Sequence, residues 1–181
     1  MEKRLILGLV GEIASGKGAV AKYLIKKHKA SYHRFSNPIR DILNRFYLDI
    51  TRVNMSKLTT HLRQLYGEDF LVPILIKDLK NDKKNIIILD GIRKPQEAKE
   101  LKRLKNFRLV YITADEKIRY LRLLGRRENK GDKTKTFKQF LQDQKLETEK
   151  DIPKIGKKAD YRVDNSGNIK ELYRKIDQIL Q

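Results

Sequence analysis

Short, nearly unbroken apolar runs alternate along the chain with longer stretches in which apolar residues recur every three or four positions. Arg4–Val10 (RLILGLV), Asn85–Leu89 (NIIIL) and Phe107–Thr113 (FRLVYIT) are runs of the first kind, the pattern of strands buried on both faces of a parallel sheet. Tyr32–Phe35 and Tyr161–Asp164 are shorter candidates for two more strands. Helical spacing predicts a helix over Lys17–Lys29, with Val20, Leu24 and Ile25 on one stripe. It predicts another starting at Asn37-Pro38, with Asn as N-cap and Pro at the first helical position. Ile39, Ile42, Leu43 and Phe46 form the apolar face of that helix. Met55–Tyr66, Asp69–Lys80, Pro95–Leu104, Asp115 to about Arg127, Phe137–Leu146 and Ile169–Leu180 complete the helical set, and the polar stretch Glu128–Lys135 is a loop. Strand followed by helix, repeated about five times, predicts a single α/β domain spanning the chain, with a parallel sheet covered by helices on both sides.

Composition narrows the setting. The chain has 181 residues, no cysteine, 39% hydrophobic and 36% charged residues, and a formal charge of +19. Without cysteine there is no disulfide framework and no thiolate metal site. The apolar stretch Leu5–Val10 is too short for a signal peptide, and no later segment approaches a membrane span, so a cytoplasmic location without membrane association is expected. The charge points to a polyanionic partner on one reading. On the other it is a solvated lysine-rich surface, since the lysines are dispersed and not gathered in one arm.

The segment Gly11-Glu12-Ile13-Ala14-Ser15-Gly16-Lys17-Gly18 has the G-x-x-x-x-G-K spacing of a phosphate-binding loop, after a predicted strand and before a predicted helix. Glycines let the backbone curl so that successive N–H groups point at phosphate oxygens. The helix start adds its positive end, and Lys17 is placed to bridge the β- and γ-phosphates. Gly11, Ala14, Ser15, Gly16, Lys17, Gly18 and Ala19 are therefore the expected ATP-binding residues. One position departs from the common pattern: Gly18 stands where most such loops carry a Ser or Thr that ligates Mg²⁺, and Ala19 has no hydroxyl either.

Asp90 closes the strand at Asn85–Leu89, so its carboxylate emerges at the carboxyl edge of the sheet, where ligands bind in open α/β sheets. It is the expected carboxylate for Mg²⁺, acting through water, although an Asp-Gly turn explains the residue types equally well. Arg93 lies just beyond. Arg119, Arg122 and Arg126 share one helical stripe that runs into the loop Glu128–Lys135, as in a lid closing over ATP. The plainer alternative is a solvated basic face. His28, His33 and His61 show no metal-ligand spacing and no evident acid partner in the sequence.

With these motifs in hand, the sequence resembles the P-loop nucleoside monophosphate kinase superfamily, and within it the adenylate kinase-like and dephospho-coenzyme A kinase-like proteins. The matching pieces are residues 11–18, 35–43, 62–71, 88–101, 121–128 and 159–167. The resemblance implies a three-layer α/β/α fold with a five-stranded parallel sheet in the order 2-3-1-4-5. It also implies an acceptor-binding helical region at about 37–80 and a lid at about 126–150. It carries Arg122 and Arg126 over as phosphate ligands of the lid and names Arg40, Arg63, Arg93 and Arg126 as acceptor ligands. Asn165 and Gly167 would contact ATP, although a simple strand-to-helix turn accounts for Asn165-Ser166-Gly167 almost as well. Lys17, Asp90, Arg122 and Arg126 would be the catalytic set, with ATP and Mg²⁺ as cofactors. The implied activity is ATP-dependent phosphoryl transfer to a nucleoside or deoxynucleoside monophosphate, by a monomer or homodimer. A dephospho-coenzyme A kinase and a nucleic-acid-associated ATPase are the competing readings. Gly18 counts against the first, and the absence of an RNA-binding signature motif counts against the second.

Overall fold

The computed structural model describes residues 4–125 and 132–181. Five strands, β1 (Leu5–Val10), β2 (Ser31–Arg34), β3 (Ile86–Asp90), β4 (Phe107–Thr113) and β5 (Tyr161–Asp164), form one all-parallel sheet in the order β2-β3-β1-β4-β5. The order is the one the resemblance implies. Side chains alternate across a strand, so the three inner strands β1, β3 and β4 each feed two cores. Ile6 and Val10 of β1 face one core together with Ile87, Leu89, Leu109 and Tyr111. Leu7 and Leu9 face the other together with Ile88, Val110, Ile112 and Val163. Both faces being buried is why these strands read as continuous apolar runs rather than as alternating ones.

The helices sort onto the two faces by their apolar stripes. α1 (Lys17–His28) and the terminal helix α9 (Ile169–Leu180) cover one face through Val20, Ala21, Leu24, Leu172, Ile176 and Ile179. α2 (Asn37–Arg45), α3 (Arg52–Tyr66), α4 (Leu71–Asn81), α5 (Pro95–Leu101) and α8 (Ile152–Gly156) cover the other. α6 (Glu116–Gly125) and α7 (Phe137–Asp143) meet at a third, small cluster made by Ile13, Leu123 and Phe140. Among the described residues, no helix is long and apolar enough to cross a membrane.

Local differences from the sequence expectation have plain causes. α2 begins at Asn37, with Ser36 and not Asn37 at the cap position. Its expected apolar face stops early, because Phe46 lies past the helix end and is 66% exposed. α3 starts at Arg52, three residues before the predicted start, because the Thr51 hydroxyl accepts a hydrogen bond from the Asn54 N–H and caps it. α8 has no counterpart in the sequence pattern. It is a five-residue helix opened by Asp151 and Pro153, too short to display a periodicity. His28 and His33 do find acid partners, Asp177 and Asp82, both distant in sequence.

Candidate active site

β1 ends at Val10 and α1 begins at Lys17, so six residues must turn the chain from the sheet edge into the helix. They do so through two left-handed residues, Ala14 (φ 61) and Gly16 (φ 112). Glycine is required at 16 on two grounds: the backbone angle, and a Cβ there that would lie 2.1 Å from Asn165 Nδ2. Gly11 is equally constrained, since its Cβ would lie 2.1 Å from the Ile112 carbonyl oxygen. Ile13 anchors the loop by burying its side chain against Leu123 and Phe140. Ser15 is fully buried, and its hydroxyl has no hydrogen-bond partner. Gly18 is the opposite case: it is exposed, and a Cβ added there meets nothing within 4 Å. Ala19 packs its methyl toward the α1/α9 core, and its N–H donates to the Gly16 carbonyl at 3.0 Å.

Lys17 folds back over this loop, donating from Nζ to the carbonyls of Gly11 at 2.6 Å and Glu12 at 3.3 Å. Burial lowers its pKa below the usual lysine value. The nearby Asp90 carboxylate opposes that shift, Arg93 adds to it, and Glu149 and Glu12 oppose it. The charges of Asp90, Arg93, Glu149 and Glu12 thus all act on the Lys17 ammonium.

Asp90 reaches this point because β3 pairs with β1 in a register that sets Leu9 opposite Asp90, so both strands end side by side. The Tyr32 hydroxyl donates to Asp90 Oδ2 at 2.7 Å, and Arg34 Nε donates to the Tyr32 hydroxyl at 3.1 Å. Burial, with the Asp90 charge adding to it, pushes the Tyr32 hydroxyl up to about 12. Tyr32 therefore remains a donor at any physiological pH and fixes one carboxylate oxygen. The other, Oδ1, is buried with no hydrogen-bond partner.

The arginines distribute differently from the sequence expectation. Arg93 lies beside Lys17, but its Nη1 is paired with the buried Glu149 carboxylate at 2.5 Å. Arg63, expected to offer a guanidinium to an acceptor phosphate, does not. It is 8% exposed and donates from Nη2 to the buried Glu97 at 2.7 Å, with Glu68 3.8 Å from its Nε. Arg40 Nε donates to the Ser36 hydroxyl at 3.4 Å on the first turn of α2. Arg119 is not on a solvated face. It is 6% exposed, lies over the Phe140 ring and donates to the carbonyls of Ala114 and Ile13 and to Gln144 Oε1. It is a strut between α6 and the phosphate loop. Arg122 donates from Nη2 to the Asn165 carbonyl at 2.8 Å, while its Nη1 is buried without a partner. Arg126, and residues 128–131 of the loop Glu128–Lys135, lie outside the described residues.

Asn165 is buried, and its side-chain Nδ2 donates to the Ser15 carbonyl at 2.8 Å, so in this structure it props the phosphate loop from below. Gly167 is exposed and lies against Glu171, whose Oε2 would sit 2.5 Å from an added Cβ.

Several residues around the loop were not singled out from the sequence. Glu97, completely buried, accepts hydrogen bonds from the N–H groups of Arg93 and Lys94 as well as from Arg63, and burial raises its pKa despite the Arg63 charge. The Glu12 carboxylate accepts a hydrogen bond from the Tyr111 hydroxyl, which burial pushes up to about 12. A cavity of about 30 Å³, lined by Glu12, Ile13, Gln144 and Glu149 among others, lies behind the loop. Only Glu97 left a trace in the sequence: a Glu two residues past a helix-opening Pro95 is where a carboxylate meets free N–H groups.

Comparison with known proteins agrees with this geometry. The AAA domain family matches residues 7–150. A UPF0200 protein of Staphylothermus marinus is 27% identical over 179 residues, covering 99% of this chain and 93% of the relative. A UPF0200 protein of Pyrococcus horikoshii is 28% identical over 181 residues, covering 97% and 96%. Among solved structures, shikimate kinase from Bacteroides thetaiotaomicron superposes with a TM-score of 0.63 at 14% identity, covering 97% of this chain and 98% of that one. TT1252 from Thermus thermophilus gives 0.56 at 18% identity, covering 98% and 97%. At these identities the solved structures speak for the fold alone, which is that of the P-loop kinases. The glycine-tight loop between β1 and α1 and the match over residues 7–150 together make this chain a member of the AAA domain family of P-loop proteins.

Proposed function

We propose that the protein transfers the γ-phosphoryl group of ATP to a small acceptor bound beside Asp90, most simply a nucleoside or deoxynucleoside monophosphate. The observation that carries this reading is the glycine-tight loop between β1 and α1 with the Lys17 ammonium folded back over it, and Asp90 at the adjoining carboxyl end of β3. Lys17 would leave the loop carbonyls of Gly11 and Glu12 for the β- and γ-phosphates, offsetting charge on the transferring group. The backbone N–H groups of Ala14 and of Gly16–Gly18 would hold the phosphates, while that of Ser15 donates to the Glu12 carbonyl at 3.2 Å. Arg122, with a buried unpartnered Nη1 above the Asn165 turn, is the second cation of the ATP side. Arg93 and Arg40 are the acceptor-side cations, and Arg93 would exchange Glu149 for an acceptor phosphate. Arg126 is assigned to the lid, shared between the two sides.

The residues fit a magnesium ion held mainly by nucleotide oxygens and water. Asp90 Oδ1 is a buried, unpartnered acceptor, Gly18 brings no hydroxyl, and among the described residues no group of three or more His, Asp or Glu could hold a metal. Asp90 would hold the ion through water, and the ion would supply charge neutralisation to the phosphoryl group in transfer.

One observation favours a second reading, an acceptor that reacts through a hydroxyl, as in dephospho-coenzyme A. Arg63 is committed to Glu97, which removes one phosphate ligand, while the buried, unpartnered Asp90 Oδ1 would accept a hydroxyl proton. ADP release measured with a panel of nucleoside and deoxynucleoside monophosphates, dephospho-coenzyme A and shikimate decides between them. Stimulation by a monophosphate supports the first reading and stimulation by a hydroxyl acceptor the second. ATP turnover stimulated by none of them, but by RNA or DNA, overturns both.

A further inference from the structure

On the sheet face opposite the acceptor helices, α1 and α9 leave between them an open groove of about 520 Å³ lined by Lys22, Tyr23, Lys26, Lys27 and Tyr173. Its lining is made of two residue types only, cations and aromatic rings. Tyr23 and Tyr173 stack face to face, centroids 4.0 Å apart and planes within 6°. Asp177 holds that floor in place: it accepts from the Tyr23 hydroxyl at 2.6 Å and from Lys27 Nζ at 2.8 Å. Lys27 lies 5.3 Å from the Tyr23 ring centroid. The hydrogen bond from Lys27 to Asp177 raises the lysine pKa, so this side chain is charged. Lys22 and Lys26 are exposed, one helical turn apart on α1, and make no ion pair among the described residues.

This groove is separate from the phosphate loop although both use α1. At 100° per residue, Lys22 and Lys26 lie about 140° and 180° around the helix from Lys17. A ligand here would therefore not compete with one held by Lys17. Two unpaired lysines a turn apart, on Cβ atoms about 6 Å apart, match successive phosphates of a strand. The stacked Tyr23–Tyr173 pair beside them is an aromatic platform that an unstacked base can extend, and the +19 charge of the whole chain brings such a partner in. A duplex keeps its bases stacked inside and would use only the lysines.

We propose that the α1/α9 groove binds single-stranded nucleic acid, phosphates on Lys22 and Lys26 and bases against the Tyr23–Tyr173 pair. The proposal is independent of the phosphoryl-transfer reading. It is tested on the full chain by fluorescence anisotropy with a labelled oligoribonucleotide and an oligodeoxyribonucleotide of mixed sequence, titrated at several salt concentrations. Binding is expected to weaken with salt, and Lys22→Glu/Lys26→Glu is expected to lower the log–log slope by about 0.7 for each phosphate that is no longer neutralised. Tyr173→Ala is expected to weaken binding about fivefold or more, with Tyr173→Phe retaining it. Lys17→Ala should bind as the wild type does. Lys83→Glu/Lys84→Glu, the same charge change on an exposed segment before β3, is the control for a general basic field. The proposal is overturned if neither oligonucleotide binds at low salt, or if the control pair weakens binding as much as the groove pair. It is equally overturned if the duplex binds as tightly as the single strand, or if phosphatidylserine vesicles and not oligonucleotides bind through Lys22 and Lys26.

Discussion

Arg63 separates a structural role from a ligand role more sharply than any other residue of the site. Its side chain is 7% exposed, its partner Glu97 is 1% exposed, and their nitrogen and oxygen are 2.7 Å apart. Arg63→Ala would leave Glu97 with two backbone N–H donors and no cation. Removing one partner of a buried pair costs about 3–5 kcal/mol, and the exposed Glu68 at 3.8 Å adds little to that. For a chain of this size, each kcal/mol moves the melting midpoint by about 2–4 °C, so a fall of about 6–20 °C is expected. Protonation of Glu97 limits the loss, because burial already raises its pKa. A group whose folded pKa is raised loses stability as pH rises through that pKa, so the deficit of Arg63→Ala should shrink as pH is lowered toward the ordinary glutamate value of 4.5. The double variant Arg63→Met/Glu97→Gln, which removes both charges and keeps an acceptor for the two N–H groups, should recover most of the midpoint. Melting followed by circular dichroism between pH 5 and 8 makes the comparison. A midpoint within about 2 °C of the wild type, together with a large rise in acceptor KM, would refute the structural assignment and restore Arg63 as an acceptor ligand.

Two glycines of the loop should respond oppositely to the same change. Gly16→Ala places a Cβ 2.1 Å from Asn165 Nδ2 at φ 112 and should abolish ATP binding measured by calorimetry, whereas Gly18→Ala, in open space on the first turn of α1, should raise stability by about 0.5–1 kcal/mol. Gly18→Ser has room for the hydroxyl that the loop lacks, and it should lower the Mg²⁺ concentration needed for half-maximal ATP turnover. Glu147 is held down to about 2 by Lys150 and Lys94. A depressed carboxylate stabilises above its unfolded value of 4.5 and loses that contribution as pH falls toward 2, so Glu147→Gln should melt lower at pH 7 and match the wild type at pH 2. Because its side chain is 46% exposed, the effect at pH 7 should stay below about 1 kcal/mol and fade in high salt.

The sheet was legible in the sequence because a strand buried on both faces cannot hide: RLILGLV, NIIIL and FRLVYIT have no polar face to dilute them. The phosphate loop was legible for a related reason, since Gly11 and Gly16 stand where a Cβ would strike backbone or Asn165. The arginines were not. An arginine on a helix looks the same in sequence whether it belongs to a lid over ATP, as the stripe of Arg119 suggested, or spans α6, Phe140 and the loop carbonyl of Ile13, as it does. What fixes its role is a partner 25 to 106 residues away in the chain, such as Gln144 or Ile13, and local periodicity carries no information at that range. Glu149, Tyr32 and Tyr111 gave no signal for the same reason: each matters because strand pairing or the return of the α7–α8 segment brings it to Arg93, Asp90 or Glu12.

The most direct test follows the γ-phosphoryl group itself. With labelled ATP and the acceptor that most stimulates ADP release, transfer is measured for the wild type and for Lys17→Ala at matched fold, verified by circular dichroism. Loss of the Lys17 ammonium, which folds back over the loop, should reduce transfer by about a hundredfold or more with the melting midpoint little changed. Near-normal transfer by Lys17→Ala would contradict the assignment of this loop as the reaction centre.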